Sequence, residues 1–126
     1  MVNGLGTDLV EVDRITRAIK KDNGFREMTF APDEIAYCET KANKFECYAA
    51  RFAAKEAFFK ALGTGWPEGT NFNEVAITHD AHGKPEIILT GETQKTLSTW
   101  GIDKILVSLS HVKTMATAVV VTEKIK

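Results

Sequence analysis

The sequence predicts an α+β domain in which a largely antiparallel sheet accompanies one long central helix. The first observation is the order of the patterns along the chain: a strand, three helices, two strands, a helix and two more strands. The second is the length, because 126 residues fit a single domain, residues 1–126, that buries about two thirds of its unfolded surface. The third is the composition: 44% hydrophobic and 26% charged residues are typical of a folded chain and argue against disorder.

The first two predicted elements are a strand over residues 2–10 and a helix over residues 11–21. Two glycines in the strand, Gly4 and Gly6, suggest a bulge or a close approach by another backbone segment. Asp8 lies toward the end of this strand. The helix is indicated by apolar residues at helical spacing, namely Val12, Ile15, Ala18 and Ile19.

Cations are concentrated on the first predicted helix and just beyond it, at Arg14, Arg17, Lys20, Lys21 and Arg26. One interpretation is a solvated basic face, and the other is a docking surface for an acidic partner. The net charge of −1 argues against a general nucleic-acid binder. In a chain of that charge, five cations within thirteen residues are a modest hint of an acidic partner.

Two further helices are predicted in the first half of the chain. Residues 32–40 form a short helix, because Pro32 stands at its start with two acidic residues in the first turn. Residues 45–62 form the long central helix, and its part from 51 to 62 contains no helix breaker. Gly63 follows the last periodic residue, where a left-handed cap is common.

The second half of the chain is mainly β-structure. Residues 72–78 and 85–90 are predicted strands joined by a turn, which makes a hairpin. A short helix follows over residues 92–100. Two strong β runs, residues 104–110 and 115–124, complete the largely antiparallel sheet.

The two cysteines, Cys38 and Cys47, lie nine residues apart with no CxxC motif and no matching histidine spacing. This pattern argues against a disulfide framework or a zinc site and favours a reducing compartment. The amino terminus has no basic segment followed by an apolar run, and no stretch approaches the length of a membrane span. We therefore expect a cytoplasmic protein with no membrane partner.

The central helix places Glu56 and Lys60 in a narrow slot between two apolar arcs of the helical wheel. As an exposed pair four residues apart, they would contribute only about 0.3 kcal/mol to the helix. A helix this apolar should instead be buried nearly all round, and a buried carboxylate needs a partner or a metal. The slot therefore indicates a site without identifying its chemistry.

Other polar residues allow two interpretations each. Gly63-Thr64-Gly65 is either a helix cap or a set of flexible backbone amides near a phosphate, helped by Lys60. His111 ends a strand and is either structural or a hydrogen-bond partner for a phosphate. His79 and His82 form an HxxH pattern, but they fall in a hairpin turn without a nearby carboxylate triad, which favours a solvent-exposed turn over a metal site.

Asp8 and Glu56 are the acidic residues to consider together. Magnesium is usually held by one or two carboxylates, with substrate phosphates and water completing its shell. Two carboxylates brought together in an apolar setting repel each other, and one takes up a proton unless a cation lies between them. These residues are far apart in the sequence, which does not show whether they meet.

At these residues the chain resembles the holo-acyl-carrier-protein synthases, the small bacterial 4′-phosphopantetheinyl transferases. The matching segments cover the chain from end to end in the family's order: residues 4–10 with Arg14-Ile15, residues 51–58 with 60–65, residues 83–85 and residues 107–111. The central block, RFAAKEAF followed after one residue by KALGTG, is highly specific.

The resemblance implies an enzyme that moves the phosphopantetheine arm of coenzyme A onto a serine of an acyl carrier protein in fatty acid biosynthesis, releasing adenosine 3′,5′-bisphosphate. It also implies the 4′-phosphopantetheinyl transferase fold in its short form, assembled as a homotrimer with active sites between subunits. Two rival functions stay open: a transferase for the carrier domains of polyketide or peptide synthases, and a non-catalytic module that binds an acidic helix.

The resemblance also implies roles for single residues. Asp8 and Glu56 would bind Mg²⁺, and Lys60 would contact the phosphate under attack, so these three form the catalytic group. The residues implied to hold the nucleotide are Arg51, Lys60, Gly63, Thr64, Gly65, Ser110 and His111. Those implied to bind the carrier protein are Arg14, Arg17 and Lys21. The general base is left open between Glu56, a metal-bound water and the solvent around the incoming serine.

Overall fold

The computed structural model describes residues 1–125 of the chain. Its strands are β1 (Val2–Glu11), β2 (Val75–His79), β3 (Pro85–Leu89), β4 (Ile102–His111) and β5 (Met115–Lys124). Its helices are α1 (Val12–Lys20), α2 (Phe25–Thr29), α3 (Pro32–Glu39), α4 (Lys44–Leu62) and α5 (Gly91–Ser98), with a short 3₁₀ helix at Phe72–Glu74. The predicted α+β class with a long central helix is confirmed.

β1, β5 and β4 form one antiparallel sheet in that order, and β2 pairs with β3 as a separate antiparallel hairpin. In the register of the larger sheet, Asp8 pairs with Ala118 and His111 pairs with Ala116. Because side chains alternate along a strand and paired residues share a face, Asp8 and His111 lie on the same face of the sheet. They stand on its two outer strands, so two strand spacings, about 10 Å, separate their backbones.

Helix α4 packs on β1 and β5 and is buried along most of its length. Between Cys47 and Ala61, all of its side chains are buried except Glu56 and Lys60. The expectation of a helix buried nearly all round, with a polar slot at these two residues, is confirmed. Within residues 1–125, no helix combines the length and the apolar character needed to cross a bilayer.

Two glycines allow α4 to approach β1 closely. A Cβ atom at Gly6 would overlap the backbone carbonyl of Ala57, and one at Gly4 would overlap that of Ala61. The close backbone approach suggested by the sequence is therefore confirmed, and it brings the next inward-facing side chain of β1 within reach of the helix. The predicted left-handed cap of α4 is also confirmed, because Gly63 has a φ of 78°.

A buried ion pair joins α3, α4 and β2. Lys55 is fully buried, and its Nζ lies 2.6 Å from Glu34 Oε1. The same Nζ donates to the carbonyls of Phe72 and Val75, while Glu34 Oε2 accepts from the N–H of Ile77. Burial lowers the pKa of the Lys55 ammonium, and the charge of Glu34 opposes that shift. The pair thus ties three elements together through satisfied hydrogen bonds.

Two elements differ from those expected from the sequence. Helix α2 (Phe25–Thr29) was not predicted, because five residues are too few to show helical periodicity. Residues 72–74, expected to begin a strand, form the 3₁₀ helix instead. The carboxylate of Glu74 accepts hydrogen bonds from the N–H groups of Glu92 and Thr93, which holds this segment against the start of α5.

The expectation that the cysteines are unpaired is wrong. Cys38 of α3 and Cys47 of α4 form a disulfide, with their Cα atoms 5.6 Å apart. Residues 40–43 turn the chain between the two helices and so bring the side chains together. The distance and direction of the side chains decide whether cysteines pair, and sequence spacing does not show either. The cysteines therefore give no support to a reducing compartment.

Reduction of this disulfide is expected to lower the free energy of unfolding by about 2 kcal/mol, because the bridge closes a short loop in the unfolded chain. Urea unfolding followed by circular dichroism, with and without dithiothreitol, measures the difference. A Cys38→Ser/Cys47→Ser double variant should unfold at the same urea concentration in both conditions. Equal midpoints for the wild-type protein would contradict the bridge.

Candidate active site

A first cavity, of about 380 Å³, opens beside the second half of α4. Phe59 and Phe72 stack there with ring centroids 5.0 Å apart, and Trp66 packs edge-on against Phe72. The cavity therefore has a charged end at Glu56 and Lys60 and an aromatic end. Its lining residues are Glu56, Phe59, Lys60, Gly63, Gly65, Trp66 and Phe72.

Asp8 and Lys60 meet at the charged end of the first cavity. Lys60 Nζ lies 2.9 Å from Asp8 Oδ1 and 3.1 Å from the carbonyl oxygen of Thr7. The Asp8 side chain is only 16% exposed, because it lies on the sheet face that α4 covers. The close approach at Gly6 therefore brings together two residues that are 52 positions apart in the sequence.

Glu56 is close enough to Asp8 for their charges to interact. Burial, and then the charge of Asp8, raise the pKa of the Glu56 carboxyl group, while the charges of Lys60 and Arg14 oppose the shift. The sequence left open whether the two acids meet. The structure places Asp8 in contact with Lys60, which lies about one helical turn from Glu56 on α4. Two carboxylates in a half-buried place are stabilised by a cation between them.

The carboxylates of Asp8 and Glu56 suit Mg²⁺ better than Zn²⁺. Within residues 1–125, no group of three or more His, Cys, Asp or Glu side chains is arranged to hold a metal ion, so a zinc-type ligand set does not fit. Magnesium takes one or two protein carboxylates and completes its shell with substrate phosphates and water. Asp8 and Glu56 are the residues able to hold it.

A second cavity, of about 390 Å³, opens on another side of α4. Four of its lining residues are basic, so it favours a negatively charged ligand. The lining residues are Tyr37, Lys41, Asn43, Cys47, Ala50, Arg51, His79, Pro85, Leu109 and His111.

Arg51 is the most buried basic residue of the second cavity, with 5% of its surface exposed. Its guanidinium lies 4.7 Å from the centre of the Tyr37 ring, and Nη1 is 3.2 Å from Cys47 Sγ. Its Nε atom has no hydrogen-bond partner among residues 1–125. Burial lowers the pKa of Arg51, and the charge of Glu34 opposes the shift. A buried guanidinium with an unused donor favours an anion as its ligand.

Two histidines share the second cavity with Arg51. Burial lowers the pKa of His79, and the positive charges of Arg51 and Lys41 lower it further. His111 is held from the side by α4, because its Nδ1 lies 3.0 Å from Glu46 Oε1. The basic groups act on one another here, and a bound anion would relieve that repulsion.

The basic helix α1 lies near the first cavity. Arg14 is exposed, and its charge opposes the rise in the pKa of Glu56. Arg17 pairs with Asp13 at 3.4 Å, with both side chains exposed, and Lys21 is exposed just after the helix. All three residues implied to bind a carrier protein are therefore exposed, and Arg14 is the one close enough to Glu56 for their charges to interact.

A comparison with known families identifies the fold. The model of the 4′-phosphopantetheinyl transferase superfamily matches residues 4–119. The chain belongs to this superfamily. The holo-[acyl-carrier-protein] synthase of Cytophaga hutchinsonii is 44% identical to it over 126 residues, covering 98% of this chain and 99% of that protein.

Solved structures of the superfamily agree closely with this one. The holo-[acyl-carrier-protein] synthase of Neisseria meningitidis has a TM-score of 0.90 at 38% identity, with 98% of this chain and 100% of that chain covered. The synthase of Helicobacter pylori, in complex with coenzyme A, has a TM-score of 0.80 at 32% identity, with 94% and 99% covered. The 4′-phosphopantetheinyl transferase fold implied by the resemblance is therefore confirmed.

The transferase residues implied by the resemblance fall into two groups in the structure. Glu56, Lys60, Gly63 and Gly65 line the first cavity, and Asp8 contacts Lys60 beside it, whereas Arg51 and His111 line the second. Thr64 lines neither cavity. Arg51 and Lys60 are nine residues apart on α4, which places them on opposite sides of the helix and about 13 Å apart along its axis. Ser110 points to the opposite face of the sheet from His111 and lines neither cavity.

Sequence reasoning did not find several residues of the second cavity. The interpretation of His79 as a solvent-exposed turn residue is incomplete, because it ends β2 and its ring lies 5.3 Å from that of Tyr37. No pattern marks Lys41, which comes from the connection between α3 and α4. No pattern marks Glu46 either, since its contact with His111 joins residues 65 positions apart.

Proposed function

We propose that the chain transfers the 4′-phosphopantetheine group of coenzyme A to a serine of apo-acyl carrier protein, using Mg²⁺ held by Asp8 and Glu56. The relatives named as holo-acyl-carrier-protein synthases, one of them in complex with coenzyme A, support this transfer. The observation that carries the proposal is that Glu56 and Lys60 line one cavity while Asp8 contacts Lys60. The proposed setting is fatty acid biosynthesis in the cytoplasm, a location that the Cys38–Cys47 disulfide does not support.

Lys60 is the residue that we assign to the phosphate under attack. When bound, Mg²⁺ would supply positive charge that stabilises the transferred phosphoryl group and the leaving bisphosphate. The Lys60 side chain is 55% exposed, so its ammonium is free to turn from Asp8 toward a phosphate oxygen. Protein groups in such a reaction mainly align the reactants and neutralise developing charge.

The second cavity is assigned to the nucleotide end of coenzyme A. This molecule carries one phosphate outside its diphosphate, on the 3′ oxygen of the ribose. Arg51 and His111, which both line this cavity, are suited to hold that 3′-phosphate. Lys41 and His79 on the same wall add to the attraction for an anion.

A homotrimer with shared sites would explain why the two cavities lie on opposite sides of α4. The diphosphate of one coenzyme A would contact one subunit, and its 3′-phosphate would contact the next. The outer face of the larger sheet supports assembly, because Leu5, Leu9 and Val119 are 67%, 65% and 41% exposed. Analytical ultracentrifugation should give a mass close to three chains, and a monomer at assay concentration would contradict the assembly.

Mass spectrometry of an apo-acyl carrier protein incubated with coenzyme A and Mg²⁺ tests the proposed function. The expected result is a mass gain of one phosphopantetheine group. No gain is expected when EDTA is present from the start of the incubation. A panel of apo-carriers from fatty acid, polyketide and peptide synthases identifies the preferred substrate. A non-catalytic module would instead bind the carrier without coenzyme A or Mg²⁺ and leave its mass unchanged.

Replacing Arg14 with alanine is expected to raise the Michaelis constant for the carrier protein roughly tenfold, about 1.4 kcal/mol, because a cation that meets an acidic partner is lost. Steady-state kinetics with varied carrier concentration measures the effect, and its size should fall as salt is added. Lys95→Ala, which removes a cation from α5, is the matched control. A comparable loss of coenzyme A affinity in a titration of Arg14→Ala would count against this role.

A further inference from the structure

The contact between Glu46 and His111 connects two elements at the edge of the second cavity. Glu46 belongs to the first turn of α4, and His111 is the last residue of β4. Glu46 Oε1 lies 3.0 Å from His111 Nδ1, with the side chains 22% and 38% exposed. His111 lines the cavity and Glu46 does not. The carboxylate therefore holds one ring nitrogen from outside and leaves Nε2 for a ligand.

We infer that Glu46 is a positioning residue that orients His111 toward the 3′-phosphate of coenzyme A. This inference rests on the proposed function, since that function places the 3′-phosphate in the second cavity. Glu46 is assigned no contact with the nucleotide, and its effect on binding passes through the imidazole of His111.

The chemistry of the imidazole explains why such a partner matters. A carboxylate that accepts a hydrogen bond from Nδ1–H keeps the proton on that nitrogen and fixes the ring plane. A ring that donates to a phosphate through Nε2 then carries protons on both nitrogens and one positive charge. The Glu46 carboxylate balances that charge, while the phosphate accepts the hydrogen bond on the other side of the ring.

The residues around Glu46 allow its carboxylate to lie near the second cavity without repelling a phosphate bound there. Glu46 lies in the first turn of α4, where the positive end of the helix dipole stabilises a negative charge. The cavity wall itself carries Arg51, Lys41 and His79, so the ligand faces cations. The negative charge is thus placed behind His111, and the positive charges are placed in front.

Isothermal titration of wild-type protein and of Glu46→Ala with two nucleotides tests the inference. Adenosine 3′,5′-bisphosphate should bind Glu46→Ala roughly tenfold more weakly, by analogy with the loss seen when the partner that orients a metal-ligating histidine is removed. Adenosine 5′-monophosphate, which has no 3′-phosphate, should bind both proteins equally. Glu46→Gln, which keeps a hydrogen-bond acceptor without the charge, should lie between them and serves as the milder variant if the alanine protein folds poorly.

Two comparisons separate the positioning of His111 by Glu46 from a general effect of removing a glutamate at the start of a helix. Glu92→Ala removes a glutamate from the first turn of another helix, α5, and should leave bisphosphate affinity unchanged. In a protein that already carries His111→Ala, adding Glu46→Ala should cause no further loss, because the two residues act through one contact.

Nuclear magnetic resonance of ¹⁵N-labelled histidine provides a readout that a purely structural role would not change. In the wild-type complex with the bisphosphate, both ring nitrogens of His111 should be protonated, whereas Glu46→Ala should show a mixture of ring states. Unchanged bisphosphate affinity in Glu46→Ala, together with weakened affinity in His111→Ala, would overturn the inference and leave the proposed function intact. If the wild-type protein binds neither the bisphosphate nor coenzyme A, the inference about Glu46 and the proposed function are both wrong.

Discussion

Replacing either Asp8 or Glu56 with alanine is expected to cut turnover at least about 100-fold, which corresponds to roughly 2.7 kcal/mol of lost transition-state stabilisation. Glu56 lines the first cavity and Asp8 contacts Lys60 beside it, and each variant leaves only one of the two carboxylates to hold the proposed Mg²⁺. Transfer of phosphopantetheine to apo-carrier protein at saturating coenzyme A, followed by mass spectrometry, measures the loss. Near-normal Mg²⁺-dependent transfer by either variant would refute the assignment.

Glu68→Ala is the matched control for this pair of variants. Glu68 is an exposed carboxylate in the connection that follows Gly65, so its removal changes the local charge without touching the carboxylate pair. Its turnover should stay close to that of the wild-type protein. A similar loss in all three variants would point to general electrostatics near the cavity.

Neither Asp8→Ala nor Glu56→Ala is expected to unfold the protein. Burial and the charge of Asp8 raise the pKa of Glu56 in the folded state, so the ionised carboxylate is less favourable there than in the unfolded chain. A group with a raised pKa contributes stability below its unfolded pKa, and that contribution is lost as the pH rises through the folded pKa. Glu56→Ala should therefore remain folded at neutral pH and lose this pH dependence.

Removing one partner of the buried Glu34–Lys55 pair is expected to lower the free energy of unfolding by about 3 to 5 kcal/mol. Lys55→Ala leaves the Glu34 carboxylate buried without its counter-charge and also removes the donor to two backbone carbonyls. Urea unfolding followed by circular dichroism measures the change. The loss should be large, because Lys55 and Glu34 side chains are 0% and 1% exposed.

An exposed ion pair provides the comparison for the buried one. Asp13 and Arg17 are 3.4 Å apart on α1 with more than two thirds of each side chain exposed. Asp13→Ala should change the free energy of unfolding by less than about 1 kcal/mol. The idea of a structural buried pair would be abandoned if Lys55→Ala were no more damaging than Asp13→Ala.

Local patterns were enough to predict most elements of the fold. The apolar arcs of α4, its terminal Gly63 and the β runs near the carboxyl terminus all depend on neighbours within a few residues. Helix α2 was too short for such a pattern. The disulfide depends on how α3 packs on α4, so the spacing of Cys38 and Cys47 was misleading.

In the candidate site, too, residues marked by a local pattern could be predicted, and residues brought together by packing could not. Glu56 and Lys60 could be recognised from the sequence because they interrupt an otherwise apolar helix, and Gly6 hinted at the close approach that brings Asp8 to them. The second cavity could not be foreseen, since Lys41, His79 and Arg51 come from separate elements. Their shared electrostatic role exists only after packing.

The position of α4 between two cavities predicts that two inactive variants can complement each other in a mixed assembly. In the proposed trimer, every copy of this helix would serve two reaction centres, one through Lys60 and the other through Arg51. A chain damaged at Lys60 and a chain damaged at Arg51, each inactive alone, would then complement each other when mixed. Some centres of the hybrid assembly would combine the two undamaged halves and regain turnover.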